Sequence, residues 1–380
     1  MDNLLFSLNA TLPVFLLMMI GWGFRRTGII SGRFASDMNT FVFKIALPVS
    51  LFTELYNVDF FEVWDTRFVV FCFLATLASA AIAWGMAKLL KDRGQRGEFI
   101  QGAYRSSASL LGMAYIELLY GHVTYGSLMM IGCVPLYNVL AVIVLTMPEE
   151  SGERNRGGEG NGLAASRGDA GSGSGIAGMD NGSGGQSSAA GNGGSGSSGV
   201  IVNGVIVNGV NSSAARGNGS GKGRRIRRLL IGIVTNPIIL GIMIGFAWAL
   251  LRIPMPEFAS TTLNFIGRTA TPLGLLAMGA SLDFGKMFHD IRPALAASFL
   301  KLVGFAAIFI PIAAALGFRG EKLAAVLIML GSASTVAGYV MAKNMGHEGT
   351  LSASVVMITT FFCSFTLTLW ITLLRGMGLL

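Results

Sequence analysis

Gly331-Ser332-Ala333-Ser334-Thr335 interrupts an apolar run, and Ser107-Ala108-Ser109 interrupts another run 225 positions earlier. Each is followed by a Gly-His pair, Gly346-His347 and Gly121-His122, again 225 apart. A third match sets Lys44-Ile45-Ala46-Leu47-Pro48 against Arg268-Thr269-Ala270-Thr271-Pro272 at an offset of 224. Ser-Ala-Ser is a weak signal alone, so the near-constant displacement carries the weight. One register relates two halves of the chain across a long polar gap. Duplicated membrane units with small, polar interruptions in their hydrophobic spans build binding sites at the bilayer midplane.

Composition agrees with a membrane setting. Hydrophobic residues make up 52% of the 380 residues and charged residues only 13%, about half the share of a soluble domain. The mean hydropathy is +0.61. Apolar runs of about 20 residues recur, the length that crosses a hydrocarbon core of about 30 Å. The net charge of +8 raises nucleic acid as a partner, but the basic residues cluster in short segments between apolar runs, which argues against it. Cys72, Cys133 and Cys363 each sit inside an apolar run, with no metal spacing and no disulfide framework. Met1-Asp2-Asn3 lacks the basic start of a cleavable signal peptide, so the first run is expected to stay as a span.

Ten spans are expected, near 4–24, 38–57, 67–90, 99–120, 124–147, 229–251, 257–282, 292–316, 321–343 and 350–374. They divide the chain into an N-terminal five-span repeat (1–148), a Gly/Ser/Asn-rich loop (149–228) and a C-terminal five-span repeat (229–380). The loop has no aromatic residue and too little apolar area to offset ordering entropy, so it is expected to be disordered. Its Val-Asn-Gly units favour a hairpin turn. Basic residues flank one side throughout: Arg25, Arg26 and Arg33; Lys88, Lys91, Arg93 and Arg96; Lys222 to Arg228; Lys286 and Arg292; Lys343. The other side carries Asp59, Glu62 and Asp65. The positive-inside rule then puts both termini outside and the long central loop in the cytoplasm of a multi-pass protein of the cell (inner) membrane. Five spans per half is an odd number, so the second half enters from the opposite face. The expected fold is an all-α polytopic membrane protein of ten transmembrane helices in two inverted five-helix repeats.

Spans four and nine are expected to be broken helices that cross. Unwound backbone at bilayer depth survives only where protein or a water-filled cavity satisfies it. Half-helix N-termini meeting there present free N–H groups and partial positive charge, which suit an anion. Ser107, Ser109, Ser332, Ser334 and Thr335 are the candidate caps or substrate ligands. Close helix packing by small residues explains one such segment adequately; two in register favour a site.

Ionisable groups within spans are costly and face a partner or a cavity. Lys301 is a candidate for the substrate's countercharge, with a structural tie to a carboxylate as the alternative. Glu117 is the candidate coupling carboxylate, with an outward-snorkelling interfacial residue as the alternative. Arg105 is read as interfacial or as lining an inner vestibule. Lys44 and Arg268 precede Pro48 and Pro272, which are expected to kink spans two and seven. Asn138 and the Thr359–Thr368 hydroxyls border the expected crossover, Asn138 as a candidate substrate contact, with interhelical hydrogen bonding as the favoured alternative. His122, His289 and His347 are too scattered for zinc or a catalytic dyad. Neither a nucleophile–base constellation nor a nucleotide-binding fingerprint occurs, which argues against an enzyme and implies no cofactor.

The chain resembles the auxin efflux carrier family, which includes the plant PIN carriers and bacterial malonate-permease-like proteins. The resemblance rests on Asn39-Thr-Phe-Val-Phe-Lys-Ile-Ala-Leu-Pro48, on Thr235-Asn236-Pro237-Ile-Ile-Leu-Gly241 and on Thr271-Pro272-Leu-Gly-Leu-Leu-Ala-Met-Gly279-Ala-Ser-Leu282, with a looser match at Tyr339-Val-Met-Ala342. It implies a scaffold of spans one, two, six and seven, a mobile transport domain, a small organic anion as substrate, elevator-like alternating access and a homodimer. The family's crossover prolines are replaced by Ala114 and Ala333, and Ser107 stands where span four often has Asn. Gly112 and Gly338 are the candidates to supply flexibility there.

The expectation is therefore a permease for a small carboxylate or related anion, with proton or sodium as the coupling ion. A sodium-coupled symporter of the bile-acid type is the alternative within the class. A membrane receptor or regulator that binds ligand without moving it is the alternative outside it.

Overall fold

The computed structural model describes residues 2–56, 64–108, 112–146, 200–202, 205–207, 235–289 and 291–380. Two units separate by contact, 150–216 and the remainder. In the smaller one, strands β1 (Val200–Val202) and β2 (Val205–Val207) pair antiparallel, Val200 opposite Val207. The rest of the loop, with Lys222 to Arg228, lies outside the described residues.

The larger unit is helical. Its first half runs α1 (Asp2–Arg26), α2 (Gly32–Phe41), a π-helical turn (Val42–Ala46), α3 (Leu47–Tyr56), α4 (Thr66–Ala87), α5 (Arg96–Tyr104), α6 (Met113–Tyr120) and α7 (Thr124–Thr146). The second half runs α8 (Pro237–Leu250), α9 (Glu257–Arg268), α10 (Ala270–Ala280), α11 (Phe284–His289), α12 (Ile291–Phe299), a second π turn (Leu300–Gly304), α13 (Phe305–Ala315), α14 (Glu321–Gly331), α15 (Val336–Asn344) and α16 (Thr350–Gly376). Among the described residues, six helical stretches are long and apolar enough to cross a membrane: 32–56, 66–87, 124–146, 291–315, 321–344 and 350–376. Large apolar side chains such as Leu74, Phe265, Phe299 and Leu369 are exposed on the outer surface. That is a liability in water but not in lipid. The protein is a polytopic membrane protein.

Local chemistry explains several boundaries. Asp65 caps α4 by accepting the Phe68 amide at 3.1 Å. Asn236 caps α8 through the Ile238 amide at 2.9 Å, with Pro237 in the first turn, where its missing N–H costs nothing. Pro48 cannot donate to Lys44, and the helix accommodates it with the π turn just upstream, Leu47 N–H reaching back to the Val42 carbonyl. Pro272 follows the break at Thr269 between α9 and α10.

Packing falls into two groups. In one, α1 packs on α10 and α3 packs on α8 and α9. These contacts are backbone on backbone: Gly241 lies against Pro48 and Gly279 against Met18, with no room for a Cβ at either. Close approach of this kind drives helix association in lipid, where apolar burial gives little. In the other group, α4 packs on α5 and α7 while α12 and α13 pack on α16 and α14. The pairings recur when the halves are exchanged.

Two buried carboxylates join the halves. Glu98, in the first turn of α5, accepts the Gly349 and Ser352 amides at 2.9 and 2.8 Å, capping α16. Glu321, in the first turn of α14, accepts the Tyr125 amide at 2.8 Å and pairs with His122 Nδ1 at 3.3 Å, at the start of α7. Each cap satisfies amides that a helix start leaves without partners, and the charge suits the positive end of the dipole.

Candidate functional site

The span 96–120 is interrupted between α5 and α6, and 321–344 between α14 and α15. Arg105 leaves α5 in extended conformation (φ −80°, ψ 134°), as Ser332 leaves α14 (φ −79°, ψ 168°). The interruptions touch. Ser107 N–H donates to the Ala333 carbonyl at 2.9 Å, and the Ser106 and Ser332 hydroxyls are hydrogen-bonded to each other. Thr335 caps α15, its hydroxyl accepting the Ala337 amide at 3.3 Å. Ser334 N–H donates to Thr359 Oγ1 on α16 at 3.0 Å. Partners for the irregular backbone thus come from protein, as bilayer depth requires. The stretch Glu321–Asn344 is 94% buried in its most apolar window, against 39–67% for the other five, so surrounding helices shield this break from lipid.

Both interruptions line one cavity of about 480 Å³, within the usual range for small-ligand sites. One wall is Arg105 to Ala108 together with Ala333 to Ala337; Tyr137 and Asn138 of α7 adjoin it. The facing wall brings Ser50, Thr53 and Glu54 from α3 and Asn264, Arg268 and Pro272 from α9 and α10.

Arg105 is the buried cation of this cavity, 3% exposed. Its Nη2 donates to Asn138 Oδ1 at 2.7 Å and its Nη1 contacts Met341 Sδ at 2.9 Å. Both partners are neutral, and a guanidinium carries five donors. Asn138 is itself fixed through Nδ2 to the Val134 carbonyl at 2.9 Å. Glu54 lines the same cavity and accepts the Ser50 hydroxyl at 3.1 Å. The arrangement pairs a donor-rich cation with a ring of hydroxyls and amides, which is the chemistry that receives a carboxylate.

The expected residues divide. Ser107, Ser334, Thr335 and Asn138 line the cavity; Ser109 lies outside the described residues. Ser332 is fully buried behind the lining and serves the contact with Ser106. Lys301, expected to counter substrate charge, stands elsewhere: its Nζ donates to the Met329 carbonyl at 3.2 Å and the Tyr104 carbonyl at 3.4 Å. Those carbonyls close α14 and α5, so the ammonium sits where two helix C-termini place negative charge. Glu117 is exposed on α6 and does not line the cavity. Position along a span does not disclose which face of the helix either residue occupies. Gly112 and Gly338, expected as hinges, are not in the left-handed region. A Cβ on Gly112 would stand 2.9 Å from Ile328 Cγ2, and the Gly338 carbonyl accepts Gln101 Nε2 at 3.0 Å. Smallness serves close approach at Gly112, whereas a Cβ on Gly338 would meet Gln101 only at 3.5 Å, an ordinary contact. Pro48 packs on Gly241, and Pro272 lines the cavity.

Sequence reading missed Glu54, an acidic residue inside an apolar run, which was signal enough. It also missed Glu98 and Glu321, whose offset of 223 nearly repeats that of the serines.

A family model described as membrane transport protein matches residues 6–371. An uncharacterized transporter of Methanothermobacter thermautotrophicus is 20% identical over 367 residues, covering 96% of this chain and 97% of that one. Both matches run through the two hydrophobic halves and the stretch between them. The chain belongs to this membrane transport protein family, that of the auxin efflux carriers and their relatives.

Proposed function

We propose that this transporter is a permease for a small organic anion, of which a carboxylate is the simplest case, bound at the paired interruptions and moved by elevator-like alternating access. The observation that carries the reading is Arg105: a buried cation, aimed by Asn138 into a cavity of ligand size, with neutral hydrogen-bond partners. Burying such a charge is expensive unless it is paired; Glu54 of the same cavity attracts it, and an incoming carboxylate adds a hydrogen-bonded partner on the guanidinium. Ser107, Ser334 and Thr335 then contact the anion from the interruptions, and Asn138 from the side.

Exchange symmetry of the packing supports ten spans in two inverted five-helix repeats. The backbone-tight group of α1, α3, α8 and α10 suits a scaffold. The helices around the interruptions suit the moving part, with the cavity lined by both. Loop charge supports outside termini and a cytoplasmic central loop, and dimerisation remains the family expectation. Glu54 replaces Glu117 as the coupling carboxylate, since it lines the cavity and Glu117 does not. A carboxylate there suits a proton or sodium as the coupling ion.

The test is uptake into proteoliposomes of labelled malonate, acetate and an indole acid, each with an imposed pH or sodium gradient. Saturable uptake of one or more anions, accelerated by an imposed gradient, is the expected result. Specific binding without transmembrane flux would favour a receptor, and acceleration by sodium alone would favour the bile-acid type of symport.

A further inference from the structure

A second cavity, of about 450 Å³, opens where α1 ends, and it shares no lining residue with the first. Its walls are Trp22, Arg25 and Arg26 from the last turns of α1, the start of α2, and the segment 280–285 leading out of α10. The Arg26 guanidinium stands 4.6 Å over the Trp22 ring. Trp22 is held in turn by an edge-on contact with Phe284, centroids 5.6 Å apart. Arg25 Nη1 donates to the Ile30 carbonyl at 3.4 Å, which leans the side chain across the turn between α1 and α2. There Gly32 makes room for it: a Cβ on Gly32 would approach Arg25 Nη2 to 3.0 Å. Asp283 also lines the cavity and spends one oxygen on the Gly285 amide at 3.0 Å. Two guanidiniums against one carboxylate leave a net positive charge.

Guanidiniums match the geometry of a phosphate, and stacking on an aromatic ring reduces the freedom lost on binding. Basic pockets at the ends of membrane helices are the places where lipid headgroups are captured. The same helix also offers a surface for acyl chains. Leu12, Leu16, Ile20 and Phe24, spaced four apart, are all exposed, a stripe on the side of α1 turned away from Trp22 and Arg26 that meets lipid chains outside the pocket. We propose that this pocket binds the phosphate of an anionic phospholipid, with Arg25 and Arg26 as donors. The inference is independent of the transport reading, since none of these residues lines the transport cavity.

The full chain is reconstituted in phosphatidylcholine nanodiscs with rising fractions of phosphatidylglycerol, and its melting midpoint is followed beside lipid adducts in native mass spectrometry. The expected result is a midpoint that climbs with phosphatidylglycerol and adducts that survive delipidation. Arg25→Gln/Arg26→Gln should weaken this binding about tenfold or more, while Arg25→Lys/Arg26→Lys keeps part of it. Should the Gln pair fail to fold, Gly32→Val crowds Arg25 without changing charge and should lower the affinity. Inorganic phosphate in pure phosphatidylcholine is the control. A full response to phosphate alone would assign the site to a soluble anion and overturn the lipid source. A phosphatidylglycerol response unchanged in the Gln pair and in Gly32→Val, or absent from the wild type, would overturn the site itself.

Discussion

Arg105 donates to Asn138 Oδ1 at 2.7 Å, and that bond sets the direction of the one cation buried in the cavity wall beside both interruptions. The proposed anion site depends on it. Arg105→Ala should reduce anion binding tenfold to a hundredfold, since a charge-assisted hydrogen bond contributes about 1.5–3 kcal/mol. Arg105→Lys should recover only part, because an ammonium has no second arm for a carboxylate while still held by Asn138. Asn138→Asp is the sharper test: a permanent counter-ion for Arg105 should leave the protein folded and weaken anion affinity. Isothermal titration with the transported anion reads all three.

Lys301 should behave differently from Arg105. It joins the closing carbonyls of α5 and α14, so Lys301→Met removes a donor from two buried acceptors. The expected cost is about 1–3 kcal/mol of stability, seen as a lower melting midpoint in detergent. Anion affinity of the surviving folded fraction should be close to wild type. A loss of affinity at unchanged midpoint would return Lys301 to the site.

Glu98→Ala and Glu321→Ala should resemble each other. Each leaves a helix start without its cap, a loss of about 0.5–2 kcal/mol, and the two caps serve separate helices. Their effects should add. Hydrogen exchange should quicken at the first turn of α16 in one variant and of α7 in the other. An effect spread evenly over both helices would contradict the cap assignment.

Asp65 links a membrane-edge turn to α14. The Lys322 ammonium, 2.7 Å away, holds the Asp65 carboxyl below its ordinary value, with the Phe68 amide adding to the effect and partial burial opposing it. A carboxyl with a lowered folded pKa stabilises fully above its unfolded pKa of about 3.9, and that contribution fades as pH falls through the folded value. Stability measured from pH 6 downward should therefore decline more steeply at the acid end in wild type than in Asp65→Asn, which keeps the cap and loses the pair. Partial exposure limits the difference to about 0–1 kcal/mol.

Much of this was legible in the sequence. The offset of 224–225 located both interruptions, and the apolar runs anticipated the helices that flank them. Charge in a span was also recognised as meaningful at Lys301 and Glu117. What sequence did not reveal is direction around the helix axis. At Lys301 a π turn alters the helical phase locally, so extrapolating the face from 3.6 residues per turn fails there. Arg105 was read from its distance to the interface, whereas its chemistry follows from α5 ending at Tyr104 and releasing the next residue into the cavity. An acidic residue at a helix start ordinarily caps its own helix, so the sequence positions of Glu98 and Glu321 do not disclose their partners. Here each caps a helix from the other half.

That exchange of carboxylates means neither half is finished without its counterpart, while the polypeptide joining them carries no part of the bond. Two separately translated fragments, one ending before β1 and one beginning ahead of α8, ought to find each other in a bilayer and reassemble.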